Sequence, residues 1–186
     1  MSQNEPAFHL GTRNHLLVTR SLLACGTIEP CPGRLSDLLR GFAKPSLPLR
    51  DAELVSLAGG ATVKVDLLHV YLNSVILAHE YVALGGDEHQ RALWDDMQRL
   101  HVQIVLGAIP GLTMRGHIAT DALERDERFL AVMRPTVGGG PAEAHPLLDL
   151  VEDLPYLLVN RTAIDSVMVL GPSEAPPPED SARSDS

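Results

Sequence analysis

Aromatic residues make up only 4% of this 186-residue chain, so its core has to be built from Leu, Val, Ile and Ala, side chains that suit short, bent strands. Cysteine is nearly absent. Cys25 and Cys31 are the only two, too few for a disulfide framework and, with no further ligands at metal-binding spacing, for a zinc site. Both are expected as reduced thiols in a cytosolic protein. No stretch approaches the ~20 consecutive apolar residues of a membrane-crossing helix. Met1 to Gly11 has no basic segment followed by an apolar one, so no secretory signal is read and the expected compartment is the cytoplasm. Cations are in deficit: 15 Lys and Arg face 24 Asp and Glu, a formal charge of −9. The tail accounts for a third of it, with Glu174, Glu179, Asp180 and Asp185 set against Arg183, which leaves −6 on the rest of the chain. An acidic body repels phosphate backbones within a Debye length, which disfavours nucleic acid as a partner unless arginines gather locally.

Catalytic signatures are missing too. His79-Glu80 opens like a zinc-protease helix, but Ala83 stands where the second histidine belongs. His69, His79 and Asp66 flank the last hairpin of the first half without a metal-ligand spacing. Gly138-Gly139-Gly140 lacks the Lys-Ser/Thr of a phosphate loop and reads as a flexible connection. Ser36-Asp37 and Ser166 have no nucleophile elbow and no histidine at predictable range. Asn160-Arg161-Thr162 fits the glycosylation pattern, which carries no meaning without secretion.

What the chain does contain is one small β motif twice. Cys25-Gly26-Thr27-Ile28 is answered by Arg115-Gly116-His117-Ile118, and Val70-Tyr71-Leu72-Asn73 by Leu157-Leu158-Val159-Asn160. The glycines lie 90 residues apart and the asparagines 87, offsets close enough to indicate a tandem duplication with loops of different length. In the first copy, His15 to Thr19 and Leu22 to Ile28 read as a hairpin, Arg34 to Arg40 as one or two helical turns with Ser36 as N-cap, Leu47 to Leu57 as an extended pair of segments, and Val63 to Ala78 as two strands hinged near Asn73-Ser74. The second copy repeats the plan with Val102 to Ile109, a Pro110-Gly111 turn, Thr113 to Thr120, Phe129 to Val137, Tyr156 to Asn160 and Ala163 to Leu170. A short helix or ordered loop is expected between Pro141 and Asp153. Leu93, Trp94, Met97, Leu100 and Ile104 fall at helical spacing after Asp87, so an amphipathic helix is expected between the copies. Its apolar stripe suits packing over a barrel end better than a partner surface anchored by Trp94. Asn73 and Asn160 are read as turn residues whose side chains bond nearby backbone.

The second copy resembles the Sm-like small barrel, in which a helix precedes five bent antiparallel strands and protomers form rings by pairing edge strands. Gly116-His117-Ile118, Phe129-Leu130-Ala131-Val132 and Val159-Asn160-Arg161-Thr162-Ala163-Ile164 stand in the places of that family's strand signatures. Arg34 to Leu39, followed by Leu47 to Ala52, is similar to a motif in small bacterial domains of the same barrel type, which bring no established activity. Sm-like RNA sites use an Asp-x-Met/Phe-Asn loop and an Arg-Gly turn, whereas this chain has Asp126-Glu127-Arg128-Phe129 and Asn160-Arg161.

The expected protein is therefore mainly β. It has a disordered N-terminus over 1–12, a first five-stranded Sm-like barrel over 13–84, a linking amphipathic helix over 85–102, a second barrel over 103–170, and a disordered, acidic, proline-rich tail over 171–186. Duplication makes an intramolecular pair of units an expectation. The expected role is a non-enzymatic protein-binding, assembly or regulatory module that takes a protein partner or its own copies through edge strands. No cofactor, metal or membrane is expected, and Trp94, Arg128, Arg134 and Arg161 are the candidate partner contacts. Two other classes stay open. An Sm-like RNA binder would gather Arg125, Arg128, Arg134 and Arg161 on one face rather than pair them with Asp121, Glu124, Asp126 and Glu127. An enzyme would need a deep pocket where His79, Glu80 or Asp66 converge.

Overall fold

The structure, a computed structural model, describes residues 15–29, 34–40, 45–58, 61–81, 98–109, 111–138 and 154–173. Ten strands follow the hydrophobic pattern closely: β1 (His15–Val18), β2 (Leu22–Ile28), β3 (Ser46–Ser56), β4 (Val63–Tyr71), β5 (Leu77–Glu80), β6 (Arg99–Leu106), β7 (Thr113–Ala119), β8 (Phe129–Gly138), β9 (Tyr156–Asn160) and β10 (Ile164–Pro172). Among the described residues, a helix, α1 (Leu35–Arg40), lies between β2 and β3. All ten strands belong to one antiparallel sheet in the order β10-β6-β7-β8-β9-β5-β1-β2-β3-β4. Cut between β9 and β5, this order is one pattern written twice: fifth strand, first, second, third, fourth.

The two halves also share their irregularities. A register shift interrupts the β2–β3 ladder between Cys25 and Thr27, and another interrupts β7–β8 between Arg115 and His117. Gly26 and Gly116 sit at these shifts, and the facing strand places Asp51 at φ 47° in one case and Arg134 at φ 45° in the other. Such bulges bend a strand and increase its twist. The bend brings the facing backbone so close that a Cβ on Gly26 would lie 2.6 Å from the Arg50 carbonyl oxygen, and one on Gly116 would lie 2.8 Å from that of Met133. Later in each half a 3₁₀ turn, Leu72–Ser74 or Arg161–Ala163, joins the fourth strand to the fifth.

Two apolar clusters face each other through the middle of the sheet. One gathers Val102, Ile104, Met114, Ile118, Val132 and Leu157 from the second half and reaches Leu16, Val18 and Leu77 of the first. The other gathers Leu35, Leu39, Leu49 and Val70 and reaches Phe129 and Leu158 of the second half. Consequently all four residues of β1 are buried, as are three of four in β5 and four of five in β9. Strands covered on both faces lose the alternating pattern of a half-exposed sheet. The halves thus share core: where a pair of separate barrels was expected, the strands form one continuous antiparallel sheet in which β9 bonds to β5.

Several expectations need correction. The linking helix cannot reach residue 102, because β6 begins at Arg99, and Leu100 and Ile104 pair with β7 as strand residues. Buried Val102, Ile104 and Leu106 alternate with half-exposed His101, Gln103 and Val105, a period of two that ladder pairing imposes over the helical spacing. Leu93, Trp94 and Met97 lie outside the described residues, as do 1–14, Cys31 and the 141–153 link. The tail does not start at 171: Gly171 and Pro172 complete β10 opposite His101 and Leu100. Ser36 is not the cap of α1, which already begins at Leu35. The Leu35 N–H instead donates to Glu80 Oε2 on β5 at 3.1 Å, so a tertiary carboxylate does the capping.

Candidate functional site: the junction of the halves and the two free edges

Where β9 meets β5, the ladder is short, with Leu77 opposite Val159 and Ala78 opposite Leu158. Side chains extend it. Asn160, 1% exposed, donates its backbone N–H to the Ile76 carbonyl at 2.8 Å and its Nδ2 to the Val75 carbonyl at 2.8 Å. Its Oδ1 accepts from the Thr162 N–H at 3.1 Å and the Thr162 hydroxyl at 2.9 Å, which caps the Arg161–Ala163 turn. His79 Nδ1 bonds the Tyr156 carbonyl at 2.8 Å. Its ring lies 4.7 Å from that of Tyr81 and 4.8 Å from that of Tyr156. Arg128 donates to Asn73 Oδ1 at 2.6 Å across the halves.

The sheet ends differently. Among the described residues β4 and β10 are its outermost strands, each paired on one side, so each presents a row of backbone donors and acceptors outward. Seven large hydrophobic side chains are exposed among the described residues. Three lie on β4 (Val63 53%, Leu67 47%, Tyr71 63%) and three on β10 (Met168 59%, Val169 49%, Leu170 44%); the seventh is Leu123. Isolated apolar residues on a surface are ordinary, but grouped ones mark contact sites. Composition and spacing could not reveal this, because the same alternating residues would be covered if either strand were internal.

The expected partner contacts do not form one surface. Trp94 lies outside the described residues. Arg125 is held by Asp121 at 2.7 Å and faces Glu127 at 4.0 Å. Arg128 is committed to Asn73, and Arg161 donates to the Ala122 carbonyl. Arg134 stands on the β8 bulge, exposed. Asn160 serves local backbone as expected of a turn residue, but Asn73 is not its counterpart: Asn160 precedes its 3₁₀ turn, and the residue preceding the other turn is Tyr71. His69 sits on edge strand β4 and bonds Ser46 at 3.5 Å, whereas His79 is buried on β5, four strands away in sheet order. No group of three His, Cys, Asp or Glu among the described residues could hold a metal ion. Cys25 is buried and outside any disulfide among the described residues. No helix among the described residues is long and apolar enough to cross a membrane.

Burial makes the junction sensitive to acid. His79 is 2% exposed, and loss of water pulls its pKa from 6.5 down to about 4, with the Tyr156 hydrogen bond opposing. Burial also lowers His15, against the opposing charge of Glu80 at 3.7 Å. The unfolded chain therefore binds these protons first as pH falls. Stability is fully present above pH 6.5 and drains away as pH falls toward 4, by on the order of 3 kcal/mol for His79. Urea midpoints measured from pH 7 to pH 4 should fall steadily, and His79→Gln should flatten that slope.

Comparison with protein-family models, with curated proteins and with solved structures found no match to this chain. The functional reading therefore rests on the geometry of the sheet and its edges.

Proposed function

We propose that this chain is a non-enzymatic assembly module, two Sm-like five-stranded units in tandem, that joins copies of itself head to tail through β4 of one copy and β10 of the next. The observation that carries the reading is the placement of six of the seven exposed large hydrophobics on those two strands. A second observation supports it: the chain contains its own example of such a joint. At the β9–β5 junction, a fourth strand pairs with a fifth strand, and the free edges are likewise a fourth strand and a fifth. The residues that bracket the two 3₁₀ turns, Tyr71 and Val75 in one half, Asn160 and Ile164 in the other, are offset by 89 residues. Applied to the Leu77–Val159 and Ala78–Leu158 pairs, that offset sets Ser166 opposite Val70 and Val167 opposite His69 of the next copy. Contacts between unlike surfaces propagate until rotation closes a ring.

The test uses the full chain and two edge variants, Leu67→Lys on β4 and Val169→Lys on β10. Light scattering of the unaltered chain should give a defined mass several times that of one chain. Each variant alone should be monomeric, since every joint needs both edges, and an equimolar mixture should form a one-to-one pair through the intact edges. A monomeric unaltered chain would remove the proposal. Assembly that survives Val169→Lys but not Leu67→Lys would replace it with a symmetric β4–β4 pair. In a Val70→Cys, Ser166→Cys variant, an intermolecular disulfide should form under mild oxidation.

A further inference from the structure

On an acidic protein, one patch of the second half is basic. Arg99 and His101 on β6, His117 on β7 and Arg134 on β8 meet on the same stretch of sheet. His101 and His117 are direct cross-strand partners, their rings stacked with centroids 5.1 Å apart and planes inclined by 26°. Arg134 occupies the bulge beside them, and Arg99 and Arg134 are both close enough to act on His117. Among the described residues, the charges acting on His117 are those of His101, Arg134 and Arg99. His117 Nδ1 is buried without a hydrogen-bond partner. Arg115, the neighbouring cation on β7, is engaged by Gln103 Oε1 at 2.9 Å.

The fold does not require this cluster. The equivalent bulge in the first half carries Asp51 in place of Arg134, at nearly the same φ, and the residue after the bend glycine is Thr27 in place of His117. A proton on either stacked imidazole would meet repulsion from the other ring's charge and from the flanking guanidiniums, and this opposition adds to burial in lowering the His117 pKa. A cation would be repelled as well, which sets the pair apart from a two-histidine metal site. An oxyanion offers acceptors to all four side chains and relieves the repulsion.

We propose that Arg99, His101, His117 and Arg134 form a binding site for a small phosphate dianion, free or carried as a phosphomonoester. Two charge-assisted hydrogen bonds at a half-exposed site correspond to a dissociation constant on the order of 1 mM. The site is independent of the edge-strand assembly, since it rests on β6, β7 and β8.

The experiment follows the imidazole NMR resonances of the full chain during titration with inorganic phosphate, with chloride holding ionic strength constant. Saturable shifts of His101 and His117 are expected, with an upward move of the His117 pKa. Arg134→Asp, a residue the backbone accepts at the corresponding Asp51, should weaken binding at least about tenfold while the unfolding midpoint holds. His117→Gln should do the same. A parallel titration with a nucleoside monophosphate distinguishes the source: equal or tighter binding assigns a phosphomonoester, weaker binding assigns free phosphate. Shifts that chloride reproduces, that do not saturate, or that persist in both variants would overturn the site.

Discussion

Gly116→Val and Gly26→Val are each expected to leave no cooperatively folded protein at room temperature. Both glycines sit where a bent strand touches the backbone of its neighbour. A Cβ on Gly116 would stand 2.5 Å from Val132 Cγ1 and 2.8 Å from the Met133 carbonyl oxygen; one on Gly26 would stand 2.6 Å from the Arg50 carbonyl oxygen and 2.7 Å from Leu49 Cγ. A side chain can swing aside, but the backbone atoms are fixed by ladder bonds on both strands. Even alanine at either site should therefore cost about 3 kcal/mol, outweighing the up to ~1 kcal/mol that replacing a mid-strand glycine ordinarily returns. Valine should exceed about 4 kcal/mol, a large part of what holds a domain together. Gly138→Ala is the control: nothing lies within 4 Å of its Cβ position, and its urea midpoint should correspond to a change within about 0.5 kcal/mol. Equal effects at all three positions would show that the bulges do not force the close approach.

The second large effect is expected at Asn160. Its side chain makes three hydrogen bonds, to the Val75 carbonyl, the Thr162 N–H and the Thr162 hydroxyl, and it is 1% exposed. Asn160→Ala removes all three and leaves buried groups without partners, a cost of about 3 kcal/mol. Asn160→Asp should be worse, because a carboxylate oxygen would replace the amide nitrogen 2.8 Å from the Val75 carbonyl oxygen. Asn73→Ala, despite the likeness in sequence, should change stability by less than about 0.5 kcal/mol, since among the described residues Asn73 accepts a single, exposed bond from Arg128. Because Asn160 ties the fourth strand of one half to the fifth strand of the other, its loss should lower the single unfolding transition of the whole sheet. Thermal unfolding followed by near-ultraviolet and far-ultraviolet signals would detect a junction that melts separately.

The Asn160 bonds and the shared apolar clusters tie the two halves together. A strand such as β1, with Leu16 facing one cluster and Leu17 the other, has no solvent face in the joined sheet. Separating the halves would expose one side of β1 and β5 to water. The same geometry relates the internal joint to the proposed external one: β4 and β10 repeat the pairing partners without the covering neighbours. Charge at Leu67 or Val169 therefore addresses assembly, and substitution at Asn160 addresses the fold, so the two kinds of variant separate the effects.

By itself, the sequence determined the duplication and the strands. Apolar residues bounded by Gly and Pro located the strands to within a few residues, except that Leu47 to Leu57, read as a pair of segments, is the single strand β3, and the repeated Gly26 and Gly116 marked the bends, because period-two alternation and turn chemistry are local properties. The Leu100–Ile104 stripe was misleading for the same reason: a short apolar pattern satisfies two periods, and only the ladder to β7 decides between them. Tertiary structure alone determined that β9 bonds to β5, that Glu80 caps α1, that Arg128 and Arg161 are spent on internal partners, and that His101 and His117 stack beside two arginines. Each of these joins residues distant in the chain, whose meeting depends on sheet order and register. Which strands are left at the edges is decided in the same way, since an edge is defined by the neighbour a strand does not have.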